Sequence, residues 1–198
     1  MAKKKRNKKK GHKILIIDIE TTGFLKAGGK IVELGMVELD LNTGKIEVML
    51  NAVTHESDMG IKELTTSWIF RNSDLTRKRV RGSNNFETHK KYIQNVVDNY
   101  PQGATAYNRS FDFDFLESRG ISFIKKLPCP MIQSTPIVKL PSKYPKYGPY
   151  KWPSVEEAYE FFFPDSDYIE KHRAADDAIH EAKIIFELHK RGKFLVAK

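Results

Sequence analysis

The chain reads as a mixed α/β domain with one antiparallel hairpin edge. Three observations carry this. The run Ile14-Leu15-Ile16-Ile17 has no polar face and suits a central strand buried on both sides. Two strand-like segments, 31–40 and 45–53, flank the turn signal Asn42-Thr43-Gly44. Beyond them, strand-like and helical segments alternate.

The first strand spans 13–19. IVELGMVELD at 31–40 alternates in part and is rich in Val and Leu, and KIEVMLNAV returns from the turn. Residues 54–83 are polar and mixed, with Trp68, Ile69 and Phe70 as the expected buried anchor. Helical spacing of Phe86, Tyr92 or Ile93, Val96 and Val97 predicts a helix over 86–99 that stops at Pro101-Gln102-Gly103. Ala104–Tyr107 is a short strand, and 111–119 is a helix ended by Gly120. Seven prolines between 128 and 153 exclude a long helix, leaving room for a short strand near 130–134. Ser154 and Glu157 have the spacing of a capping box, opening a helix that stops at Pro164. The last helix runs from about Arg173 to Lys190 and ends at Gly192. The domain organisation is a disordered basic tail (1–12), one folded domain (13–192) and a short C-terminal extension (193–198).

With 198 residues, the chain can bury a real core. Its formal charge of +9 is uneven: seven of the first ten residues are Lys or Arg. The other 27 basic residues nearly balance 25 acidic ones. A block of this kind repels itself and suits a polyanion, a nuclear-import signal or simple solubility. No apolar run approaches a membrane span, and no apolar segment follows the N-terminal charges as in a secretory signal. Cys129 is the single cysteine, which excludes an internal disulfide and fits a cytoplasmic location.

Three polar clusters interrupt this scaffold. Asp18 and Glu20, in DIETTG, stand at the end of the most apolar strand, where charge is costly unless paired or bound to metal. Asp112, in NRSFDFDFL, stands in the first turn of a helix, where an acid also complements the helix dipole. His172 and Asp177, in HRAADDA, cannot share a face of one helix. They can enter one site if His172 lies just before the helix and Asp177 in its second turn. Ala174, Ala175 and Ala178 allow that helix close to a sheet.

In order, these three segments resemble the motifs of the DEDDh-type 3′–5′ exonucleases, and the looser resemblance covers residue 13 to about 190. The family implies a ribonuclease H-like fold, a mixed five-stranded sheet with helices on both sides. It implies Asp18, Glu20, Asp112 and Asp177 as ligands of two divalent cations, Mg²⁺ with Mn²⁺ as substitute, and His172 as general base. The family's five-residue spacing selects Asp177 over Asp176. It also implies contact of Thr21, Thr22, Gly23, Phe24 and Asn108 with the terminal nucleotide. The family often has His where this chain has Tyr107, a position outside the ligand set.

The expected activity is removal of nucleoside 5′-monophosphates from the 3′ end of single-stranded DNA, in repair or replication. RNA is the alternative substrate. A non-catalytic nucleic-acid-binding module and a polymerase-associated subunit are the other classes, and no membrane partner is expected. Cations and aromatics alternate over Lys143–Trp152, a pattern that suits a single strand or Pro-rich packing with solvated lysines. Arg77, Lys78, Arg79 and Arg81 form a second basic cluster. Trp68 and Phe161-Phe162-Phe163 read as core.

Overall fold

The protein is described by a computed structural model covering residues 13–196. The expected tail, 1–12, and the last two residues lie outside them. The sheet has five strands in the order β4-β3-β2-β1-β5. They are β1 (Lys13–Thr21), β2 (Ile31–Asp40), β3 (Ile46–His55), β4 (Asn84–Asn85) and β5 (Ala104–Thr105). The first three form an antiparallel meander, while β5 lies parallel to β1 and β4 parallel to β3. The mixed sheet flanked by helices expected from the sequence is therefore present.

The described residues also form eight α-helices: α1 (Ile61–Thr66), α2 (Ile69–Asn72), α3 (Arg77–Arg81), α4 (Phe86–Asp98), α5 (Arg109–Ser118), α6 (Pro130–Val138), α7 (Val155–Phe162) and α8 (Ala174–Lys190). Strand β1 is apolar on both faces because helices cover both. Ile14 and Ile16 pack with α7 and α8, while Leu15, Ile17 and Ile19 pack with α4 and α5. Asp18 and Glu20 share the parity of Ile14 and Ile16, so they point to the α8 side at the end of the strand. A third cluster joins Val32 to Leu64, Ile69, Leu75 and Val80, beneath α1–α3.

Three local expectations are corrected and one open alternative is resolved. Residues 130–134 form part of α6, not a strand. Pro130 sits in the first helical turn, where its missing N–H costs nothing, and Pro136 removes one bond on an exposed stretch. The remaining strand of the five is β4, a two-residue pairing too short to show periodicity. In α4 it is Ile93 that is buried, while Tyr92 is exposed and reaches the Met49 carbonyl (3.3 Å). Trp68 is 52% exposed and not core, and Phe161 is likewise exposed, leaving Phe162 as the buried ring of its triplet.

The helix boundaries follow local chemistry. The Asn85 side chain accepts from Glu87 N–H at the start of α4 (2.9 Å). Ser154 and Glu157 exchange the two bonds of a capping box at α7. After α8 the chain folds back: Phe194 is fully buried in the α7–α8 core, and its N–H reaches the Leu188 carbonyl. No described helix is long and apolar enough to cross a membrane.

Candidate active site

The site forms where β1, β5, α5 and α8 meet. Strand β5 pairs with β1 only at Leu15 and Ile16, which leaves the β1 edge free beyond them. Asp112, in the first turn of α5, uses that edge: Ile19 N–H donates to its Oδ1 (3.1 Å). Asp18 lies opposite Gly35 of β2, and Glu20 opposite Glu33. Helix α8 comes in directly over Gly35. A Cβ there would stand 2.3 Å from the Ala174 carbonyl carbon and 2.4 Å from the Ala175 nitrogen. Glycine is therefore what lets the start of α8 rest on the strand beside Asp18.

His172 lies just before α8 in the left-handed region, with φ of +53°. That conformation is strained for a non-glycine residue, costing ~1–2 kcal/mol, and persists only where surrounding contacts impose it. Those contacts are on both sides of the residue. Arg173 N–H donates to Asp177 Oδ2 (2.8 Å), and the Arg173 guanidinium grips buried Glu33 through two bonds of 2.8 and 2.7 Å. The His172 and Trp68 rings form a T-shaped pair, with centroids 4.6 Å apart, and His172 Nδ1 lies 3.9 Å from Glu170. Asp177 falls in the first turn of α8, one turn earlier than expected.

The acids crowd together with little compensation. Ligand atoms of Glu20, His172 and Asp177 lie within 4.8 Å of one another. Asp18 Oδ2 is buried and has no hydrogen-bond partner. Burial, together with Glu181, Asp112, Glu20 and Asp177, holds the Asp18 carboxyl well above the usual carboxylate range. Burial and then Asp177 do the same to Glu20. Asp112 is pushed up to about 8 by burial, against the opposing Ile19 bond. Burial also raises Asp177, opposed by Arg173 N–H, the Tyr168 hydroxyl and His172, which all favour its charge. A set of hard oxygen donors with an orphaned buried oxygen fits divalent cations.

Three residues near this cluster were missed in the sequence. Glu181, one helical turn after Asp177 and so on its face, is buried, raised, and accepts from Tyr107 N–H (3.2 Å). The i, i+4 spacing could have revealed it. Glu170, pushed up to about 7 by burial and Asp177, had no sequence signal. Trp68 could be found only through its contact with His172.

A cavity of about 420 Å³ adjoins the acids, lined by Ile19, Glu20, Thr21, Thr22, Gly23, Phe24, Trp68 and Phe111. Four of the five expected nucleotide contacts thus share one cavity. Phe24 is 73% exposed and stands edge-on to Phe111. The Thr22 hydroxyl accepts from Lys30 N–H (2.9 Å), so it closes the loop and has less to offer a ligand. Asn108, exposed at the N-cap of α5, does not line the cavity. Tyr107, where the family often has His, is buried, and its hydroxyl donates to the Pro153 and Ser154 carbonyls.

The sequence model of the exonuclease family (RNase_T) matches residues 15–185. No curated protein sequence matches significantly. Among solved structures, a 3′-exonuclease described in 3′-end-specific recognition of a histone mRNA stem-loop is similar, with TM-score 0.69 and 16% identity over 93% of this chain and 84% of that one. A full-length 3′-exonuclease is similar at TM-score 0.68 and 16% identity over 93% of this chain. This chain spans 62% of its length. The nuclease domain of 3′hExo, a DEDDh family member bound to rAMP, has TM-score 0.64 and 15% identity over 96% and 98% of the two chains.

Proposed function

We infer that this chain, which belongs to the exonuclease family, is a metal-dependent 3′–5′ exonuclease of the DEDDh type that shortens single-stranded RNA. The observation that carries this reading is the crowded, buried acid cluster beside His172. For Asp18, burial and four neighbouring acids all act against the charged form, and its Oδ2 has no partner. Such a cluster is costly in isolation and useful with cations.

Asp18, Glu20, Asp112 and Asp177 would hold two divalent ions, Mg²⁺ by preference and Mn²⁺ as substitute. Ions in such a site supply Lewis-acid charge at a phosphate and lower the pKa of water. His172 takes the proton of the attacking water; its strained backbone and the Trp68 ring contact fix the imidazole for that task. The cavity beside the acids takes the terminal nucleotide. Phe24, Phe111 and Trp68 offer ring surface to the base, and Thr21 and Gly23 offer backbone to the sugar and phosphate. Asn108, exposed at the N-cap of α5 and outside the cavity, is left for the strand beyond the terminal nucleotide.

DNA was the substrate expected from the sequence. RNA is preferred because one similar structure is described in recognition of an mRNA stem-loop and another is bound to the ribonucleotide rAMP. A polymerase partner has no support beyond the family resemblance. The deciding experiment digests 5′-labelled single-stranded RNA and DNA of one sequence with Mg²⁺ or with EDTA. The expected result is a Mg²⁺-dependent ladder that shortens from the 3′ end, faster on RNA. No ladder on either substrate would overturn the enzyme reading; faster loss of DNA would overturn only the choice of sugar.

A further inference from the structure

Between α6 and α7 the chain carries a loop unlike the rest of the domain. Residues 139–152 contain four lysines and no acidic residue, while the chain beyond its first ten residues is nearly balanced. The loop is tied at its base. Pro141 and Tyr150 form an antiparallel bridge, Ser142 N–H donates to the Pro149 carbonyl (3.0 Å), and Lys151 N–H to the Leu140 carbonyl (2.9 Å). Pro145 opens a 3-10 turn at its tip, and Pro141, Pro149 and Pro153 restrict the arms. Much of the entropy of ordering the loop is thus removed in the unfolded chain.

This constrained loop holds its rings outward. Tyr144 is 68% exposed, Trp152 64% and Tyr150 38%. Single exposed apolar residues are ordinary; three large rings on one braced, basic loop are not. The loop also flanks the acid cluster. At its C-terminal end, the Pro153 and Ser154 carbonyls accept from Tyr107, the neighbour of Asn108. In the first turn of the following helix, Glu156 accepts from Glu170 N–H (2.9 Å), and the Glu170 carboxylate lies beside His172.

We propose that the 139–152 loop is a stacking platform for the single strand upstream of the terminal nucleotide. Tyr144, Tyr150 and Trp152 stack on successive bases, and Lys139 and Lys143 follow the phosphates. Every base has a π-face, so the platform grips without reading sequence. The proposal rests on the nuclease reading for which strand arrives, but its binding can be measured without catalysis.

The test compares the full chain with a Tyr144→Ala/Trp152→Ala variant and a Tyr144→Phe/Trp152→Phe variant. Binding of a labelled single strand of about 12 nucleotides is followed by anisotropy in EDTA. Losing two stacked bases should raise Kd at least ~10-fold in the alanine variant and leave the phenylalanine variant near wild type. Cleavage of a dinucleotide, which offers only one nucleotide upstream of the terminal one, should be unchanged in both. An unchanged Kd in the alanine variant would overturn the platform and leave the rings to a protein partner. An equal loss on the dinucleotide would overturn it too, by placing the effect in the active site. If wild type binds and the alanine variant does not, yet neither cleaves with Mg²⁺, the platform stands and the exonuclease reading falls.

Discussion

Asp112 shows how one residue can be both a cost and a function. Its carboxyl is buried at the start of α5 and pushed up to about 8, while an unfolded Asp titrates near ~3.9. Between those values the folded protein binds a proton that the unfolded chain releases, so this residue subtracts stability as pH rises. Asp112→Asn keeps an acceptor for Ile19 N–H and removes the charge. The metal-free variant should therefore melt higher than wild type at pH 8, with the gain shrinking toward pH 5. Its single-turnover cleavage should fall ~10²-fold or more, the scale of losing one essential electrostatic contact. A melting point at pH 8 equal to or below wild type would contradict the charge-burial account. Trp68 teaches the reverse lesson. An aromatic in a polar stretch looks like an anchor, and only the fold reveals that its ring stands against His172.

At the scale of elements, the site depends on how close α8 comes to β2. Gly35 is ordinary in sequence, a small residue in a strand. Its role is visible only because a Cβ would collide with backbone atoms of Ala174 and Ala175, which cannot rotate aside. Gly35→Ala should cost about 1–3 kcal/mol in denaturant unfolding, as overpacking does. It should also lift the start of α8, carrying His172 and Asp177 away from Asp18. Cleavage per folded molecule, measured well below the unfolding midpoint, is then expected to drop as well; full activity with reduced stability would show that α8 adjusts freely. The alanines of HRAADDA announced a close helix–sheet contact, and the capping box announced α7. The α6 helix was illegible because proline content argues against helix in general. Only position decides whether a given proline lacks a bond that mattered.

For the whole molecule, the acids act as one group. Asp18, Glu20, Asp112, Asp177, Glu170 and Glu181 all have carboxyls raised above the ordinary range, first of all by burial. Raised folded values mean that stability is greatest below the unfolded range and is lost as pH climbs toward about 7 for Glu170 and about 8 for Asp112. In EDTA the melting temperature should therefore fall from pH 5 to pH 8. Mg²⁺ or Mn²⁺ should restore it at pH 8 and do far less at pH 5, where the carboxyls are protonated. A metal-free melting temperature that rises over this range, or one that metal leaves unchanged at pH 8, would remove the cation site from the account.

The sequence by itself determined the central strand, the meander, the caps of α7 and α8, and the family, because these rest on periodicity, turn chemistry and three ordered motifs. It placed Asp18, Glu20, Asp112, His172 and Asp177 in one expected site. Tertiary structure alone decided the rest. It turned 130–134 into helix, set Trp68 against His172, fixed His172 in a left-handed conformation through Arg173 and Glu33, and added Glu181 and Glu170 to the cluster. The Trp68 and Glu33 contacts join residues about 100 or more positions apart, which local pattern does not encode; Glu181 alone left a local trace, in its spacing from Asp177.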